Sequence, residues 1–519
     1  MWRRLDIWRR LPRSEELAVT TTARTPGVPV VEDGKLVSTS PATGEEVARF
    51  PVATPEQVRA AVDRAQEAAL WWQRLGFSGR RKRLLAWNSI LAKRLPELTE
   101  LMHAETGKPA GDALLEGANA IEHLAWATRH ARRVLGLRRV RGSLLNPEYG
   151  GYLEYQPYGV VGVIGPWNYP VFTPMGSIGY ALAAGNAIVF KPSEYSPAVG
   201  QWLADTFAEA VPEAPVFQVI HGMGDVGASL TGMGLGKVAF TGSTATGKKV
   251  MAACAETLTP VVIEAGGKDV MIVDDDADLD AAADAAIWGG MANAGQTCVG
   301  IERVYAVDAV YDALLARLVD RAGKLTVGVG ADDDIGPITM PSQIEIIRRH
   351  IDDALARGGT AVVGGTDAVR PPYVHPTILT DVPEDSSAVQ EETFGPTLTV
   401  TRVPDAAEAV RRANGTRYGL GASIFGKRRA LSLARLVRSG MASINSSLAF
   451  AVLPTLPFGG VGESGFGRIH GEDGLREFAR PKGIAKRRMR SAIPLLTFDR
   501  TKRANKIVER AIRVMHGRR

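Results

Sequence analysis

The chain has 519 residues, 45% of them hydrophobic and 23% charged, which is the composition of an ordinary globular protein of two or three domains. Its two cysteines, Cys254 and Cys298, are too few for a disulfide framework or a thiol-rich zinc site and suit a reducing cytoplasm. The net charge of +6 combines +4 in residues 1–14 and +12 in residues 480–519 with −10 in the residues between. The body is therefore acidic and both ends are basic, which argues against a nucleic-acid-binding body.

The N-terminal residues 1–36 are basic and then polar, with scattered Pro and Gly, and we predict that they form an extension. They lack the apolar stretch of a secretory signal. Nowhere in the chain do 18 apolar residues follow one another. We therefore expect neither export nor a membrane span, and we predict a cytoplasmic protein.

From Pro55 to about Arg138, apolar residues recur at three-to-four spacing, which predicts amphipathic helices. Residues 140–156 combine turn residues with alternating flanks and predict a hairpin. Short β-rich runs then alternate with helical ones from residue 157 to the run Val270–Val273. That alternation predicts an α/β fold with a doubly wound parallel sheet.

A second α/β pattern occupies residues 274–448 and predicts a second domain. Its helices are predicted near residues 278–291, 309–323 and 342–357.

Two glycine-rich turns are candidate phosphate sites. Gly222–Gly227 fits the dinucleotide fingerprint after a strand, but no acidic residue ends a strand at the expected distance beyond it. Gly242–Lys249 nearly matches a nucleoside-triphosphate loop, but Lys249 stands where the magnesium-binding Ser or Thr is required. We favour the turn at Gly242 and Ser243 as the phosphate contact, because it begins a helix with free backbone N–H groups.

Cys298 lies between a helical run and the β-rich run Arg303–Val307, and backbone N–H groups at such a junction favour the thiolate. Taken alone, a cysteine behind an apolar run is more commonly a small core residue. No histidine stands beside it to form a Cys–His hydrolase pair, and no two of the eight histidines lie four residues apart. We predict no metal site.

Seven segments together resemble the aldehyde dehydrogenase superfamily in their order and spacing, over about residues 37–485. The segments are Pro166–Pro170, Lys191–Glu194, Phe240–Ser243, Glu264–Lys268, Gly295–Cys298, Glu391–Pro396 and Pro457–Gly460. The resemblance implies a Rossmann-like cofactor domain, an α/β catalytic domain and a small β arm for oligomerisation, and the chain continues beyond the family's usual end as a basic amphipathic C-terminal tail. Their predicted bounds are 37–139 with 157–266, 267–469, 140–156 with 470–490, and 491–519.

The resemblance also implies a reaction, the oxidation of a small-molecule aldehyde to its acid. Cys298 would be the nucleophile, and the Asn168 amide together with the Cys298 backbone N–H would hold the alkoxide. Glu264 would activate the water that releases the acid from the thioester. Two alternatives stay open: a dehydrogenase that transfers the acyl group to coenzyme A, and a non-catalytic, membrane-tethered protein on the same fold.

For the cofactor, the resemblance implies contacts along the whole dinucleotide. The residues are Trp167, Lys191, Glu194, Gly242, Ser243, Glu392 and Phe394. Glu194 favours NAD over NADP, because a carboxylate accepts hydrogen bonds from a free ribose hydroxyl and repels a 2′-phosphate. Lys191 would offset part of that repulsion. The arm is expected to form a homodimer or homotetramer.

Three departures from the family pattern are visible. Ala265 replaces a Leu beside Glu264, and Ile469-His470 stands where many members carry a glutamate thought to relay protons. Gly176-Ser177 replaces a Trp-Lys pair in the helix after Asn168. We hypothesise that this small pair widens the substrate entrance and favours long-chain or aromatic aldehydes.

The C-terminal residues Thr501–Gly517 are predicted to form a helix with an apolar face and many Lys and Arg side chains. Such a helix suits peripheral contact with an anionic membrane at its cytoplasmic face. It also suits docking on a partner subunit or a solvated tail, and the pattern does not decide between them.

Overall fold

The computed structural model describes residues 26–142, 145–330, 332–490 and 495–517. The α-helices are α1 (Pro55–Arg74), α2 (Gly76–Lys93), α3 (Leu95–Thr106), α4 (Ala110–Leu135), α5 (Phe172–Ala184), α6 (Pro197–Ala210), α7 (Gly224–Thr231), α8 (Thr244–Ala255), α9 (Leu279–Met291), α10 (Asp308–Ala322), α11 (Ser342–Ala356), α12 (Ser387–Gln390), α13 (Ala406–Ala413), α14 (Ala430–Leu436), α15 (Ala449–Val452), α16 (Gly471–Glu477) and α17 (Lys502–His516).

The β-strands form five sheets within these residues. They are β1 (Val30–Glu32), β2 (Lys35–Thr39), β3 (Glu46–Pro51), β4 (Arg138–Arg141), β5 (Tyr149–Pro157), β6 (Val160–Ile164), β7 (Ala187–Lys191), β8 (Phe217–Val219), β9 (Lys237–Gly242), β10 (Val261–Ala265), β11 (Asp269–Val273), β12 (Ile301–Val307), β13 (Thr360–Val363), β14 (Val369–Arg370), β15 (Tyr373–Val374), β16 (Thr377–Thr380), β17 (Thr397–Val403), β18 (Ala422–Phe425), β19 (Ser443–Ile444), β20 (Gly465–Phe466) and β21 (Ala479–Arg487).

Strands β1, β2 and β3 form an antiparallel sheet at the N-terminal end of the described chain. The predicted extension is therefore wrong for residues 30–36, which are strand or turn rather than a free segment. The reason is burial, since Leu36 and Val37 are packed away from solvent. The basic residues 1–25 of the same prediction lie outside the described residues.

The helices predicted between Pro55 and Arg138 are confirmed as α1 to α4. Helix α1 begins where the sequence favours a start: Thr54 accepts a hydrogen bond from the Gln57 N–H, and the Gln57 side chain accepts one from the Thr54 N–H. Pro55 occupies the first helical position, where its missing N–H costs nothing.

The larger N-terminal sheet has the strand order β20-β10-β9-β6-β7-β8, and all its pairs are parallel except that of β20 with β10. Every residue of β7 is buried, as expected for a parallel sheet with both faces covered. Cys254, on α8, is a buried core residue, as predicted. The predicted α/β fold class is confirmed.

The second large sheet has the order β13-β16-β17-β12-β11-β18-β19, and it is parallel except for β13. The run Val270–Val273, predicted as the last strand of the first series, belongs to this second sheet as part of β11. Only residues 266–268 separate it from β10, so the chain crosses between the sheets there. Strand sequences of similar composition do not reveal such a crossing. The helices predicted in this part are confirmed as α9, α10 and α11.

The predicted hairpin is present as the antiparallel pair β4 and β5, to which β21 adds a third strand. The domain boundaries and the role of this sheet in oligomerisation remain predictions. The predicted C-terminal helix is present as α17, and the Thr501 hydroxyl accepts a hydrogen bond from the Ala504 N–H at its start. None of the helices in the described ranges is both long and apolar enough to cross a bilayer.

Candidate active site

A cleft of about 600 Å³ opens at the carboxyl ends of β6, β7, β9 and β10, which is where open parallel sheets place their ligands. All ten residues predicted for catalysis and cofactor binding line it. They are Trp167, Asn168, Lys191, Glu194, Gly242, Ser243, Glu264, Cys298, Glu392 and Phe394. The fold thus brings together side chains that are spread over more than 200 positions of the chain.

The loop that carries Cys298 is tightly constrained. After α9 the chain makes a short turn, in which Asn293, Ala294 and Gly295 have φ values of 52°, 56° and 69°. The left-handed conformation costs a residue other than glycine about 1–3 kcal/mol, so the surrounding contacts must enforce it. Gly295 is required for a second reason, because a Cβ there would lie 2.1 Å from the carbonyl oxygen of Gly395.

Hydrogen bonds join this loop to the loop after β6. The Asn168 Nδ2 donates to the carbonyl oxygen of Gln296 at 2.9 Å. The hydroxyl oxygens of Tyr169 and Thr297 lie 3.0 Å apart. The second Asn168 amide proton and the Cys298 backbone N–H have no hydrogen-bond partner among the described residues. These are the two donors that the family resemblance predicts for an alkoxide.

The first turns of α4 hold both loops, and sequence analysis did not single out the residues that do so. Asp112 accepts a hydrogen bond from the Asn293 backbone N–H at 2.9 Å. Glu116 accepts from the backbone N–H groups of Val171 and Phe172 at 2.8 and 3.0 Å, at the start of α5. Its counter-ion is Lys108, and both of their side chains are fully buried. In the sequence, nothing distinguishes these residues from a solvated helix face.

The charges around Cys298 differ from the expectation. The pKa of its thiol is raised well above the ordinary value, first by burial of the sulfur among protein atoms and then by the Glu264 carboxylate, with smaller effects from Glu392 and Asp269. The resting side chain is thus a thiol, and the predicted preference for the thiolate is wrong. The backbone N–H groups are present, but burial of the sulfur, followed by the neighbouring acidic side chains, outweighs them.

Glu264 is the penultimate residue of β10, and both of its carboxylate oxygens are buried and lack well-formed hydrogen bonds. Burial raises its pKa to about 7, although the nearby Cys298 and Thr241 side chains oppose the shift. A carboxyl group with such a pKa gains and loses its proton near neutral pH, as a general base must. Ile469, which replaces the relay glutamate of many family members, is buried and apolar, so its side chain cannot pass this proton on.

Glu392 approaches the backbone closely on the other side of the cleft. Its Oε1 accepts a hydrogen bond from the Gly267 N–H at 3.1 Å, and a Cβ on Gly266 would lie 2.2 Å from the same carboxylate. Burial raises the pKa of Glu392 to about 8. Phe394 lies near it, with its ring edge toward Trp167 at a centroid distance of 5.5 Å.

A buried ion pair positions this segment, and its Glu302 was not predicted. Glu302 accepts hydrogen bonds from the backbone N–H groups of Thr393 and Phe394 at 2.8 and 3.0 Å, and it pairs with Lys268. The Lys268 Nζ also donates to the Thr393 hydroxyl at 2.9 Å. The segment that carries Glu392 and Phe394 is therefore fixed by charge-assisted bonds.

At the far end of the cleft, the Lys191 Nζ lies 3.2 Å from Glu194 Oε2. Gly224 and Gly227 of the fingerprint line the same cleft as Ser243 and Thr246, so both candidate phosphate turns face one cavity. Ser243 caps α8, and its hydroxyl accepts a hydrogen bond from the Thr246 N–H. We had expected the turn at Gly242 and Ser243 alone to contact the phosphate, whereas the structure places both turns at the cleft.

The proposed widening of the substrate entrance by Gly176 and Ser177 is contradicted. Both residues are buried in α5. A Cβ on Gly176 would lie 2.6 Å from His470 Nε2 and 2.8 Å from Ile469 Cδ1. Because His470 fills the space that a larger side chain would take, the small pair creates no opening.

Comparison with known proteins supplies the context for this geometry. The sequence profile described as the aldehyde dehydrogenase family matches residues 30–484. A 4,4′-diapolycopene aldehyde oxidase from a Methylomonas species is 39% identical over 86% of this chain and 84% of its own. A glutarate-semialdehyde dehydrogenase from Pseudomonas putida is 34% identical over 85% of this chain and 92% of its own. The crystal structure of an NADP-dependent enzyme from E. coli superposes with a TM-score of 0.84 at 33% identity, covering 87% of this chain and 94% of that one.

Proposed function

The chain belongs to the aldehyde dehydrogenase family and is an aldehyde dehydrogenase that uses a nicotinamide cofactor, and we propose that it oxidises a hydrophobic aldehyde to the carboxylic acid with NAD. The observation that carries the proposal is that Cys298, Glu264 and Asn168 line one cleft with the residues predicted for the cofactor. The cleft, of about 600 Å³, has the volume of a ligand site, and the N-terminal ends of α7 and α8 open on it, which suits a dinucleotide phosphate. Bound there, NAD supplies the hydride acceptor.

In the first half of the reaction, the Cys298 sulfur forms a bond to the aldehyde carbon, and the thiol proton passes to Glu264. The thiol is protonated at rest, so a base beside it is required. The carbonyl oxygen becomes an alkoxide, which the free Asn168 amide proton and the Cys298 N–H stabilise. Each such donor contributes about 3 kcal/mol to the transition state. The alkoxide collapses as a hydride leaves the carbon, and a thioester on Cys298 remains.

In the second half, Glu264 first releases the thiol proton to solvent and then takes a proton from the water molecule that attacks the thioester carbon. The carbon–sulfur bond breaks, the acid is released, and the Cys298 thiolate takes that proton back from Glu264. Glu264 must be deprotonated for this step, so the pKa near 7 sets the pH at which the enzyme becomes active. Below pH 7 the carboxyl is increasingly neutral and cannot accept the proton, and above it the base is available.

Replacement of Glu264 by Gln is expected to trap the thioester. At pH 9, where more of the thiol ionises, the variant should release at most one NADH per active site and gain the mass of the acyl group. Intact-mass spectrometry measures the adduct. The adduct should persist in Glu264→Gln/Cys254→Ser and vanish in Glu264→Gln/Cys298→Ser.

For the wild-type enzyme, kcat should rise as the pH increases through about 7.

Three results would contradict this assignment. Full turnover by Glu264→Gln would remove Glu264 from the mechanism. NADH release by the wild type only in the presence of coenzyme A would indicate the acyl-transferring alternative. No NADH with any aldehyde would indicate a non-catalytic protein.

The preference for NAD is supported by Glu194, whose side chain remains partly exposed to the cleft. Its carboxylate can accept hydrogen bonds from a free 2′-hydroxyl and repels a 2′-phosphate. Lys191 shares that carboxylate and reduces the repulsion, and the related E. coli structure is of an NADP-dependent enzyme. The balance of these two side chains therefore decides the cofactor.

The Glu194→Gln variant is expected to raise kcat/KM for NADP about tenfold, since the loss of one nearby negative charge is worth at least ~1.4 kcal/mol to a phosphate. Steady-state kinetics with each cofactor measures the change. Glu100→Gln, which removes an exposed charge on α3 that does not line the cleft, is the control and should leave both values unchanged. A wild-type preference for NADP would refute the assignment.

The hydrophobic substrate is supported by the 39% identical relative that is named a 4,4′-diapolycopene aldehyde oxidase. A second support is an aromatic cluster at the start of α5, which we call the aromatic wall; its rings pack against one another and are not among the residues that line the cleft. The His470 ring lies 5.1 Å from that of Phe172 and 5.5 Å from that of Phe458. His123 lies 4.0 Å from His470, and burial lowers its pKa to about 4 and that of His470 well below the ordinary value. Both histidines are therefore neutral, and this wall offers no cation to the carboxylate of a semialdehyde.

With the wild-type enzyme, kcat/KM is expected to be at least tenfold higher for dodecanal than for acetaldehyde or succinic semialdehyde. Each buried methylene group contributes about 0.8 kcal/mol, so two or more suffice for this ratio. Phe172→Ser should lower kcat/KM for dodecanal and leave the value for acetaldehyde unchanged. A preference for the semialdehyde, as the name of the Pseudomonas relative suggests for that enzyme, would overturn the proposal.

We also propose that α17 binds an anionic membrane surface. Ala504 is its one buried residue, whereas Ile507, Ile512 and Val514 keep 42%, 41% and 63% of their surface exposed. The helix carries five Lys and Arg side chains and one Glu. An exposed apolar face beside basic side chains is the pattern of a helix that lies in the interface of an anionic bilayer.

The double variant Ile507→Ser/Ile512→Ser is expected to reduce binding to phosphatidylglycerol vesicles at least tenfold in a flotation assay, and high salt should weaken wild-type binding. Leu431→Ser/Leu436→Ser removes two comparably exposed apolar side chains on α14 and should bind as the wild type does. Binding that does not differ between the variants, or a change of oligomeric state in the α17 variant, would show that α17 docks elsewhere.

A further inference from the structure

A second cavity, of about 400 Å³, lies between α2, α4 and the C-terminal end of α5, and it shares no lining residue with the active-site cleft. Five arginines line it, two from α2 and three from α4. They are Arg80, Arg81, Arg129, Arg132 and Arg133. We call it the arginine cavity.

Arg80 lies in the wall of this cavity as a buried charge without a counter-ion. Only 5% of its surface is exposed, and no carboxylate of the described chain pairs with it. Its one hydrogen bond is a long one of 3.5 Å, from Nη1 to the Gln73 carbonyl oxygen, and its Nε is buried with no partner. A buried guanidinium is costly unless hydrogen bonds and an opposite charge compensate it.

A structural role as a cap for α5 does not account for Arg80. Arginine at the end of a helix can donate to the last carbonyl groups, and Arg80 does lie against Gly185, the residue that ends α5. However, no hydrogen bond runs from Arg80 to any α5 carbonyl in the described residues. The guanidinium carbon instead lies over the Phe77 ring, 4.8 Å from its centroid, and apart from the long bond to Gln73 its N–H groups have no partner in the described chain.

Other side chains of the cavity show the same lack of partners. The Thr128 hydroxyl is buried and makes no hydrogen bond within the described chain. Arg81, Arg129 and Arg132 are exposed at the rim of the cavity and form no ion pair in the described chain, and the exposed Arg133 pairs with Glu472 at 2.7 Å. The lining therefore carries an excess of positive charge and a free hydroxyl, with one carboxylate to balance it.

We propose that the arginine cavity binds a phosphate group, separately from the cofactor cleft. The planar guanidinium fork matches the oxygens of a phosphate, and a dianion balances more of this charge than a carboxylate does. The Thr128 hydroxyl can donate to a further oxygen. A volume of about 400 Å³ exceeds that of inorganic phosphate, so the group can belong to a phosphomonoester or to a lipid headgroup.

The test titrates inorganic phosphate into the full-length enzyme with saturating NAD, which fills the cofactor cleft, at an ionic strength held constant with chloride. Calorimetry should detect phosphate binding, and Tm should rise with phosphate and not with chloride. Arg80→Met should weaken phosphate binding at least tenfold. Arg74→Met, on α1 outside the cavity, is the control and should bind as the wild type does.

Without phosphate, Arg80→Met should not lower Tm, because it removes an uncompensated buried charge. If that variant fails to fold, Thr128→Val/Arg132→Met tests the same site from α4.

Glycerol 3-phosphate and phosphatidic acid vesicles identify the source of the group: Arg80-dependent binding of either one supports the site. Phosphate binding that survives Arg80→Met, or that NAD abolishes, would overturn the proposal. So would an absence of binding together with a lower Tm of Arg80→Met, which indicates a purely structural arginine.

Discussion

The hydrogen bond from Asn168 Nδ2 to the Gln296 carbonyl oxygen joins the two large sheets at the point where the chemistry is proposed. Asn168 follows β6 of the first sheet, and Gln296 precedes β12 of the second. The distance between a nucleophile and its oxyanion donors must hold within a fraction of an ångström, so a joint between separately folded sheets needs support. Helix α4 supplies that support, because Asp112 binds the loop before Cys298 and Glu116 binds the loop after Asn168. A buried ion pair is weak support for stability as such, but the Lys108–Glu116 pair fixes the orientation of the carboxylate that holds α5.

The close packing that positions Cys298 also determines the protonation state of its thiol. Burial first, and then Glu264, Glu392 and Asp269, raise the thiol pKa, and burial also raises the pKa of Glu264 to about 7 and that of Glu392 to about 8. The resting cleft is therefore close to neutral, with protons on groups that would be ionised in water. The reaction must begin with the movement of a proton between neighbours, and Glu264 is the neighbour that the fold puts beside the sulfur.

Much of the site was predictable, because four of the seven segments lie at the carboxyl ends of β6, β7, β9 and β10, where a parallel sheet gathers side chains at one edge. The other three segments follow helices or turns, and only the family resemblance pointed to them. What could not be predicted depends on residues that are distant in sequence. The thiolate expectation considered the local N–H groups and missed Glu264 and Glu392, which lie 34 positions before and 94 positions after the cysteine. The widened entrance was wrong because His470, 294 positions beyond Gly176, fills the space. The arginine cavity could not be predicted, because an arginine in a basic helix is expected to be solvent-exposed and only the packing of the helices shows that Arg80 is buried.

The aromatic wall and the exposed face of α17 bear on one question, which is how a poorly soluble substrate reaches the enzyme. A hydrophobic aldehyde of the proposed kind partitions into the bilayer, and the same apolar transfer free energy that concentrates it there would favour its binding beside Phe172. In the proposed membrane contact, α17 would bring the cleft to that reservoir without contributing to the chemical step. The two proposals are thus separable in principle. Loss of the α17 contact should raise the apparent KM for aldehyde presented in vesicles and leave kcat unchanged, whereas loss of the aromatic wall should lower kcat/KM for the hydrophobic aldehyde however it is presented.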